Sequence, residues 1–467
     1  MVETVNVVVV GGGAAGLAAA AEIEARGLTC QLLEAQSRLG GRVQTARLPG
    51  GGAFDRGAQM VNTDMTAVLD VTRRAGIDSA VVPRAGADLA VLGERVVPRE
   101  ELVSAEEIYD FLESQVVRWD SPREILRAIR QTYRWWTTPW EDAGEAGRAA
   151  TRAVSRSPAP RESLAAALEA MLLCADDAAI ARSTICELCG AAPEVLDAVA
   201  VRAAASTYAS ERDAVEVHFP GGMGQVIAAL AGRLVHTPRL GAPVGQIYVD
   251  RDGVDVIAAR GRIRADHVVV AVPPPAARRI GFQMEGAGEL RALLDAFEAG
   301  DMIKTVLVYD RAFWRRHGRS GAVTFADPPG LEVMETTLGD GSAPRLTAFL
   351  GGPEARSWSR LSAEDRRARL LHHLGRAFGP EAMRPVDVAE AVWIDDPWSG
   401  GGYNATVRVG HCRDAVPRLA QRGGRVRFAG AELADTFWGH VEGAIRSGRA
   451  VGRDVGRAVG AAVEARA

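Results

Sequence analysis

Residues 7–42 constrain this chain more than any other stretch. Val7 to Val10 is an uncharged, β-branched run stopped by glycine, the pattern of a strand buried on both faces of a parallel sheet. Gly11, Gly13 and Gly16 then satisfy G-x-G-x-x-G. The first glycine permits a tight turn, the second lets the backbone approach a pyrophosphate, and the third lets the following helix pack closely. Leu17 to Arg26 read as that helix, ended by Gly27, and its N-terminal N–H groups favour an anionic phosphate. Leu32, Leu33 and Glu34 read as the second strand. Glu34 stands about 20 residues beyond the glycines, where an acid accepts the hydroxyls of a ribose. Glycines alone would fit any glycine-rich turn; strand, helix, strand and acid in this order make a dinucleotide site. An acid in place of an arginine favours FAD or NAD over NADP.

The 467 residues are enough for two or three domains. Apolar residues make up 47% and charged residues 24%, which supports large cores and argues against disorder. Net charge is −4 with no long basic run, so nucleic acid is not an expected partner. Five scattered cysteines do not suggest a disulfide framework, and a reducing cytoplasm is expected. Cys186-Glu-Leu-Cys189 lacks a second pair at metal-site spacing and reads as packing thiols on a helix. No signal peptide is expected, and no uncharged run approaches the roughly 20 residues of a membrane span.

Thr66 to Ala75 read as an amphipathic helix ended by Gly76. From 77 to 210 helical signals dominate. Ser104-Ala-Glu-Glu107 and Ser121-Pro-Arg-Glu124 are capping boxes. Tyr133, Trp135, Trp136 and Trp140 form an aromatic cluster that is either core between helices or the lining of a substrate entrance. Strand-like pieces follow at 244–249, 253–259 and 262–271. Asp301 to Tyr309 is an apolar strand interrupted by Lys304, and Ser362-Ala-Glu-Asp365 caps a helix that runs to Phe378. Val451 to Ala467 read as an alanine-rich surface helix.

Glu34-Ala35-Gln-Ser-Arg38-Leu-Gly40-Gly41-Arg42 resembles the second half of the FAD fingerprint of the flavin-containing amine oxidases. That family includes monoamine oxidases, polyamine oxidases and L-amino-acid oxidases. A Gly-Gly pair between two arginines offers close N–H groups and two fixed cations to a diphosphate, and FAD becomes the expected cofactor. The likeness continues through Asp55 to Met60, Ala242-Pro243-Val244, Asp266 to Pro274, Trp393, Gly400 to Asn404, Ala429 to Glu432 and Trp438 to Ala444. The helical block from 77 to 210 matches only in kind. The resemblance implies an α/β fold, a Rossmann-type FAD-binding domain with an inserted α+β substrate-binding domain. The first would comprise residues 1–76, 215–285 and 386–467, and the second 77–214 and 286–385.

The resemblance implies cofactor contacts from Gly11, Gly13, Ala15, Gly16, Glu34, Ala35, Arg38, Gly41, Arg42, Gln59, Met60, Val244, Trp393, Gly430, Glu432 and Val441. Lys304 matches the lysine near flavin N5, where it would order a water for imine hydrolysis and help O2 react. The plain alternative is a strand-end lysine reaching solvent. Tyr403 matches one of two aromatic residues that sandwich the amine, and His440 stands at the other position. His440 is read equally as a base or hydrogen-bond donor and as a packing residue. Gly402 stands where monoamine oxidases carry the cysteine that binds flavin covalently, so non-covalent FAD is expected. Met60 lies where L-amino-acid oxidases place an arginine, and Asn62 where some polyamine oxidases place an acid. Neither an α-amino acid nor a polyamine is favoured, and Asn62 and Asp64 are expected to join Tyr403 and His440 around the substrate.

The expected activity is oxidation of an amine to an imine by hydride transfer to FAD, with O2 as acceptor and H2O2 as product. Alternatives are a biosynthetic oxidase of a larger amine or amide whose imine is trapped within the molecule, a flavin-dependent C–C desaturase, and a flavin-binding protein without activity. The oligomeric state stays open, a homodimer being common in the resembling family.

Overall fold

The computed structural model describes residues 3–81, 85–104, 107–108, 162–171, 173–208, 217–337, 341 and 343–464. The capping box at 121–124 and the aromatic cluster at 133–140 lie outside them. In chain order the principal elements begin with β1 (Glu3–Val10), α1 (Ala14–Glu24), β2 (Cys30–Leu33), α2 (Thr66–Ala75), β3 (Ala87–Leu92), β4 (Arg95–Pro98) and α3 (Ala175–Cys189). Next come β5 (Val244–Val249), β6 (Val254–Ala258), β7 (Gly261–Val270), β8 (Gly281–Gln283), β9 (Met302–Val308), β10 (Arg319–Phe325), β11 (Leu331–Glu335) and β12 (Arg345–Gly351). The chain closes with α4 (Ala363–Phe378), β13 (Asp387–Val392), β14 (Val426–Phe428) and α5 (Val441–Glu464).

Two sheets carry the architecture. The first runs β8-β5-β6-β7-β1-β2, and β14 pairs in parallel with the end of β7. β1 lies parallel to both β2 and β7, so it is central and buried. Val7 and Val9 face a core shared with α1, α2 and α5, while Val8 and Val10 face the opposite core with Ile247 and Val256. The glycine turn after β1 is sterically dictated. Gly11 has φ +108°, and a Cβ on Gly16 would lie 1.9 Å from the Gly11 carbonyl oxygen.

The second sheet runs β13-β9-β12-β11-β10-β3-β4. On β9 the side chains alternate. Ile303 and Leu307 pack with Leu370 and Leu374 of α4, and Met302 and Lys304 face the other way. β13 belongs here, antiparallel to β9 with Lys304 opposite Ala391, although the sequence reading placed residues 386–467 in the FAD-binding domain. The capping box at Ser104 and the N-cap at Ser362 both form. Ser104 and Glu107 bond reciprocally at 2.7 and 3.1 Å, and Ser362 accepts from the Asp365 N–H at 3.1 Å.

The C-terminal helix departs from its expected surface role. α5 spans 24 residues and lies along α1. Glycine recurs at every fourth position, Gly448, Gly452, Gly456 and Gly460, which is one face of a helix. A Cβ on Gly448 would sit 2.1 Å from the Ala15 carbonyl oxygen, and one on Gly452 would sit 2.6 Å from that of Ala19. The two backbones touch because neither helix carries bulk at the contact. Among the described residues no helix is long and apolar enough to cross a membrane.

The same substitution should therefore have opposite signs along α5. Gly448→Ala should cost about 1–3 kcal/mol, as overpacking does. Gly460→Ala, with nothing within 4 Å of the new methyl, should stabilise by about 0.5–1 kcal/mol. Urea unfolding midpoints of the two variants against the parent provide the measurement, and equal shifts would contradict the close contact.

Candidate active site

Segments from both sheets meet around one cavity of about 950 Å³. Gly11, Gly13, Ala14 and Ala15 open the N-terminus of α1 onto it. That helix has no side-chain cap and no acid in its first turn, so its positive end is left for an external anion. A Cβ on Gly13 would be 4.0 Å, and one on Gly41 3.7 Å, from the nearest protein atom. These glycines border space that the chain keeps clear.

Glu34 is buried at the end of β2. Its Oε2 accepts the Gly12 N–H at 2.6 Å and its Oε1 accepts the Gln36 N–H at 2.8 Å. The loop thus fixes the carboxylate while it lines the cavity beside Ala35 and Val244. Arg42 donates to both oxygens of Glu432, at 2.5 and 3.0 Å, and to the Tyr403 carbonyl oxygen at 2.6 Å. Glu432 is completely buried. Both its oxygens are engaged by Arg42, which makes it first a partner for that cation.

Lys304 lies on the cavity face of β9 and is 2% exposed, which excludes the solvent-reaching alternative. Its ammonium donates to the Gly57 carbonyl oxygen at 2.9 Å and to Gln59 Oε1 at 2.6 Å. Nζ also stands 5.5 Å from the Phe349 ring centre. Of its three protons, one is left for the cavity. Burial pulls its pKa down to about 8, against the attraction of Asp55. Asp55 itself turns to the Thr45 hydroxyl and the Met223 N–H, at 2.5 and 2.9 Å.

His440 stands at the start of α5. Its Nδ1 is 2.8 Å from the Trp438 carbonyl oxygen, which can only accept, so Nδ1 carries the proton. Burial holds the imidazolium below the ordinary histidine range, so the ring is neutral near pH 7 and Nε2 keeps its lone pair. Tyr403 packs edge-on to Phe349 with ring centres 5.9 Å apart.

Lys304, Tyr403 and His440 thus line one cavity with Gly11, Gly13, Ala15, Glu34, Ala35, Gly41, Arg42, Gln59, Met60, Val244, Trp393, Gly430, Glu432 and Val441. Four expected contacts do not reach it. Gly16 acts from behind, giving room to the Gly11 carbonyl. Arg38 folds onto its own loop and donates to the carbonyls of Leu39, Gly41 and Val43. Asn62 is fully buried and donates to the Tyr208 hydroxyl at 3.1 Å, while its Oδ1 accepts the Asp64 N–H. Asp64 sits in that turn outside the cavity lining. The sequence reading missed Glu187 and Glu332, which line the cavity from α3 and β11, and Phe349 from β12. Glu187 had a signal, a glutamate between two cysteines on a helix face with the look of core.

A model of the flavin-containing amine oxidoreductase family matches residues 14–456. A putative flavin-containing monoamine oxidase of Mycobacterium tuberculosis is 26% identical over 449 residues, 96% of this chain and 95% of its own. An L-amino acid dehydrogenase of Synechocystis is 26% identical, covering 95% of this chain and 93% of its own. Cyclohexylamine oxidase from Brevibacterium oxydans superposes with a TM-score of 0.82 at 22% identity, over 98% of this chain and 99% of its own.

Arg42→Met would strand the Glu432 carboxylate in the interior. The expected cost is about 3–5 kcal/mol, as for breaking a buried ion pair. Flavin carried through gel filtration should fall with it, and Arg42→Lys should recover only part because it cannot grip the carboxylate bidentately. Full flavin retention in Arg42→Met would remove the residue from the cofactor site.

Proposed function

The chain belongs to the flavin-containing amine oxidoreductase family, with FAD as its cofactor, and from that premise we propose that it oxidises the C–N bond of an amine to an imine, with O2 as acceptor and H2O2 as product. The observation that carries this reading is a buried lysine in the wall of the cofactor cavity, joined there by a tyrosine and a neutral imidazole. When bound, FAD supplies the hydride acceptor for the carbon next to the amine nitrogen. The chain's task is to hold that carbon in place in a dry compartment.

The donor set fits this cofactor. The uncapped end of α1, Gly41 and Arg42 suit a diphosphate, Glu34 suits ribose hydroxyls, and Gln59, Met60, Trp393 and Val441 line the same cavity as Lys304. Gly402 carries no nucleophile, which supports non-covalent binding. The remaining proton of Lys304 can orient a water toward the imine carbon, and His440 Nε2 can accept a proton from the amine nitrogen. Tyr403 supplies the aromatic wall. The cavity continues to Arg99 and Glu332, which favours an amine larger than a simple alkylamine and keeps open a biosynthetic role with an internally trapped imine. Lys304 speaks against a C–C desaturase. The sparse cysteines support a cytoplasmic setting.

Peroxide release by the flavin-loaded enzyme across amines, amino acids and amides tests the reaction, and flavin reduced by none of them would sink it. One relative is named a dehydrogenase, so turnover with O2 against an artificial electron acceptor tests the acceptor. Acid precipitation should leave the flavin in solution. Lys304→Met should slow turnover or flavin reoxidation by about tenfold or more, and unchanged rates would remove its role.

A further inference from the structure

The wall beside Tyr403 contains a carboxyl group that the reaction above does not use. Glu187 lies on α3, is 5% exposed and lines the cavity. Its Oε1 accepts the Tyr403 hydroxyl at 3.0 Å. Tyr403 is gripped at its other end by Arg42, which donates to its backbone carbonyl at 2.6 Å. Its ring meets the Phe349 ring at 62°. Hydroxyl, ring and main chain therefore each have a partner from a different part of the fold. These contacts restrict the side chain where it lines the cavity. A polar group buried this deeply is destabilising without a partner, so the pairing is as necessary to Glu187 as to Tyr403.

We propose that Glu187 is a positioning residue for amine oxidation, anchoring the Tyr403 hydroxyl so that the ring keeps its place as the substrate wall. The role in catalysis rests on the amine-oxidising reading; the pairing itself does not.

The charge of the pair follows from its surroundings. Burial and the carboxylate of Glu332 on β11 push the Glu187 carboxyl up to about 8, against the hydrogen bond from Tyr403. Burial and the neighbouring Glu187 hold the Tyr403 phenol well above its ordinary value. The Cys189 thiol, on the same helix, is raised by burial and by Cys186 and Glu187. Arg99, which also lines the cavity, is attracted by the Glu332 carboxylate. In either protonation state Glu187 keeps an oxygen that can accept the Tyr403 hydroxyl, so the anchor does not depend on its charge.

Anaerobic reduction of the FAD-loaded enzyme by one amine tests the positioning. Glu187→Leu and Tyr403→Phe should each slow reduction about tenfold, and the double variant should be no slower than either alone. Glu187→Gln, which keeps an acceptor for the hydroxyl, should recover most of the loss. Losses that multiply to about a hundredfold in the double variant, or a glutamine variant as slow as the leucine one, would overturn the proposal. A second measurement needs no substrate. In crystal structures of the FAD-loaded variants the Tyr403 ring should leave its parent position in Glu187→Leu and keep it in Glu187→Gln. A ring unmoved in Glu187→Leu would overturn the proposal whichever amine is the substrate. If the ring moves as expected while no amine reduces the flavin, the reaction fails and the pairing stands.

Discussion

One guanidinium joins the parts of this molecule that must act together. Arg42 bonds Tyr403 and Glu432, 361 and 390 residues along the chain from it. Removing the Glu432 carboxylate from water is costly, and only a bidentate grip of good geometry offsets that cost. The geometry is met because Glu432 sits in the turn after β14, and β14 is held in register by β7. Arg42 leaves the glycine loop after β2, and β1, β2 and β7 form one parallel ladder. The first sheet therefore fixes both ends of the ion pair before any ligand arrives. Because the same cation holds the Tyr403 carbonyl, the proposed substrate wall and the glycine loop share one anchor.

The glycine repeat of α5 has a related consequence. α5 begins at Val441, directly after His440, and both residues line the cavity. The N-terminus of α1 opens on the same cavity. Small residues on both helices let their backbones meet, so the rise of α5 along α1 is set by contacts without flexible side chains between them. The position of the imidazole relative to the anion site is thus a property of helix packing. Glu442, the second residue of α5, strengthens it by accepting the N–H groups of Ala67 and Val68 at the start of α2, at 2.9 and 2.8 Å.

What the sequence made legible is local and backbone-driven. Gly11, Gly13 and Gly16 could be read because each role is set by sterics within a few residues of chain, and Glu34 because one strand–helix–strand unit fixes its distance from them. Lys304 could be read because an ionisable group inside an apolar strand has few explanations. Arg38 could not, since a cation in a tight turn satisfies its own carbonyls as readily as a ligand, and spacing does not separate the two. Asn62 could not, because its partner Tyr208 is 146 residues away and its facing depends on how that segment packs. The glycines of α5 were visible but diluted by alanines and charges that resemble a surface helix. Phe349 lies in a strand buried throughout, where a cavity wall and a core face have the same composition.

Three titratable groups that line the cavity share one tendency. Lys304 is pulled down to about 8, Glu187 is pushed up to about 8, and the His440 imidazolium is disfavoured. The leading cause is the same in all three, removal of the charged form from water. An incoming ammonium would meet the same penalty, since its charge in water is comparable to that of a free lysine side chain. The proposed oxidation needs the nitrogen lone pair, which only the uncharged amine has. The choice of partners sustains this. Lys304 is held by a carbonyl and an amide oxygen, both neutral, while the nearby Asp55 is turned to a hydroxyl and a backbone N–H. A carboxylate bonded directly to Lys304 would have kept both groups ionised and drawn water in with them. Neutral acceptors hold the ammonium in place without restoring its full stability, so the desolvation that brings its pKa near neutrality also favours the reactive form of the amine.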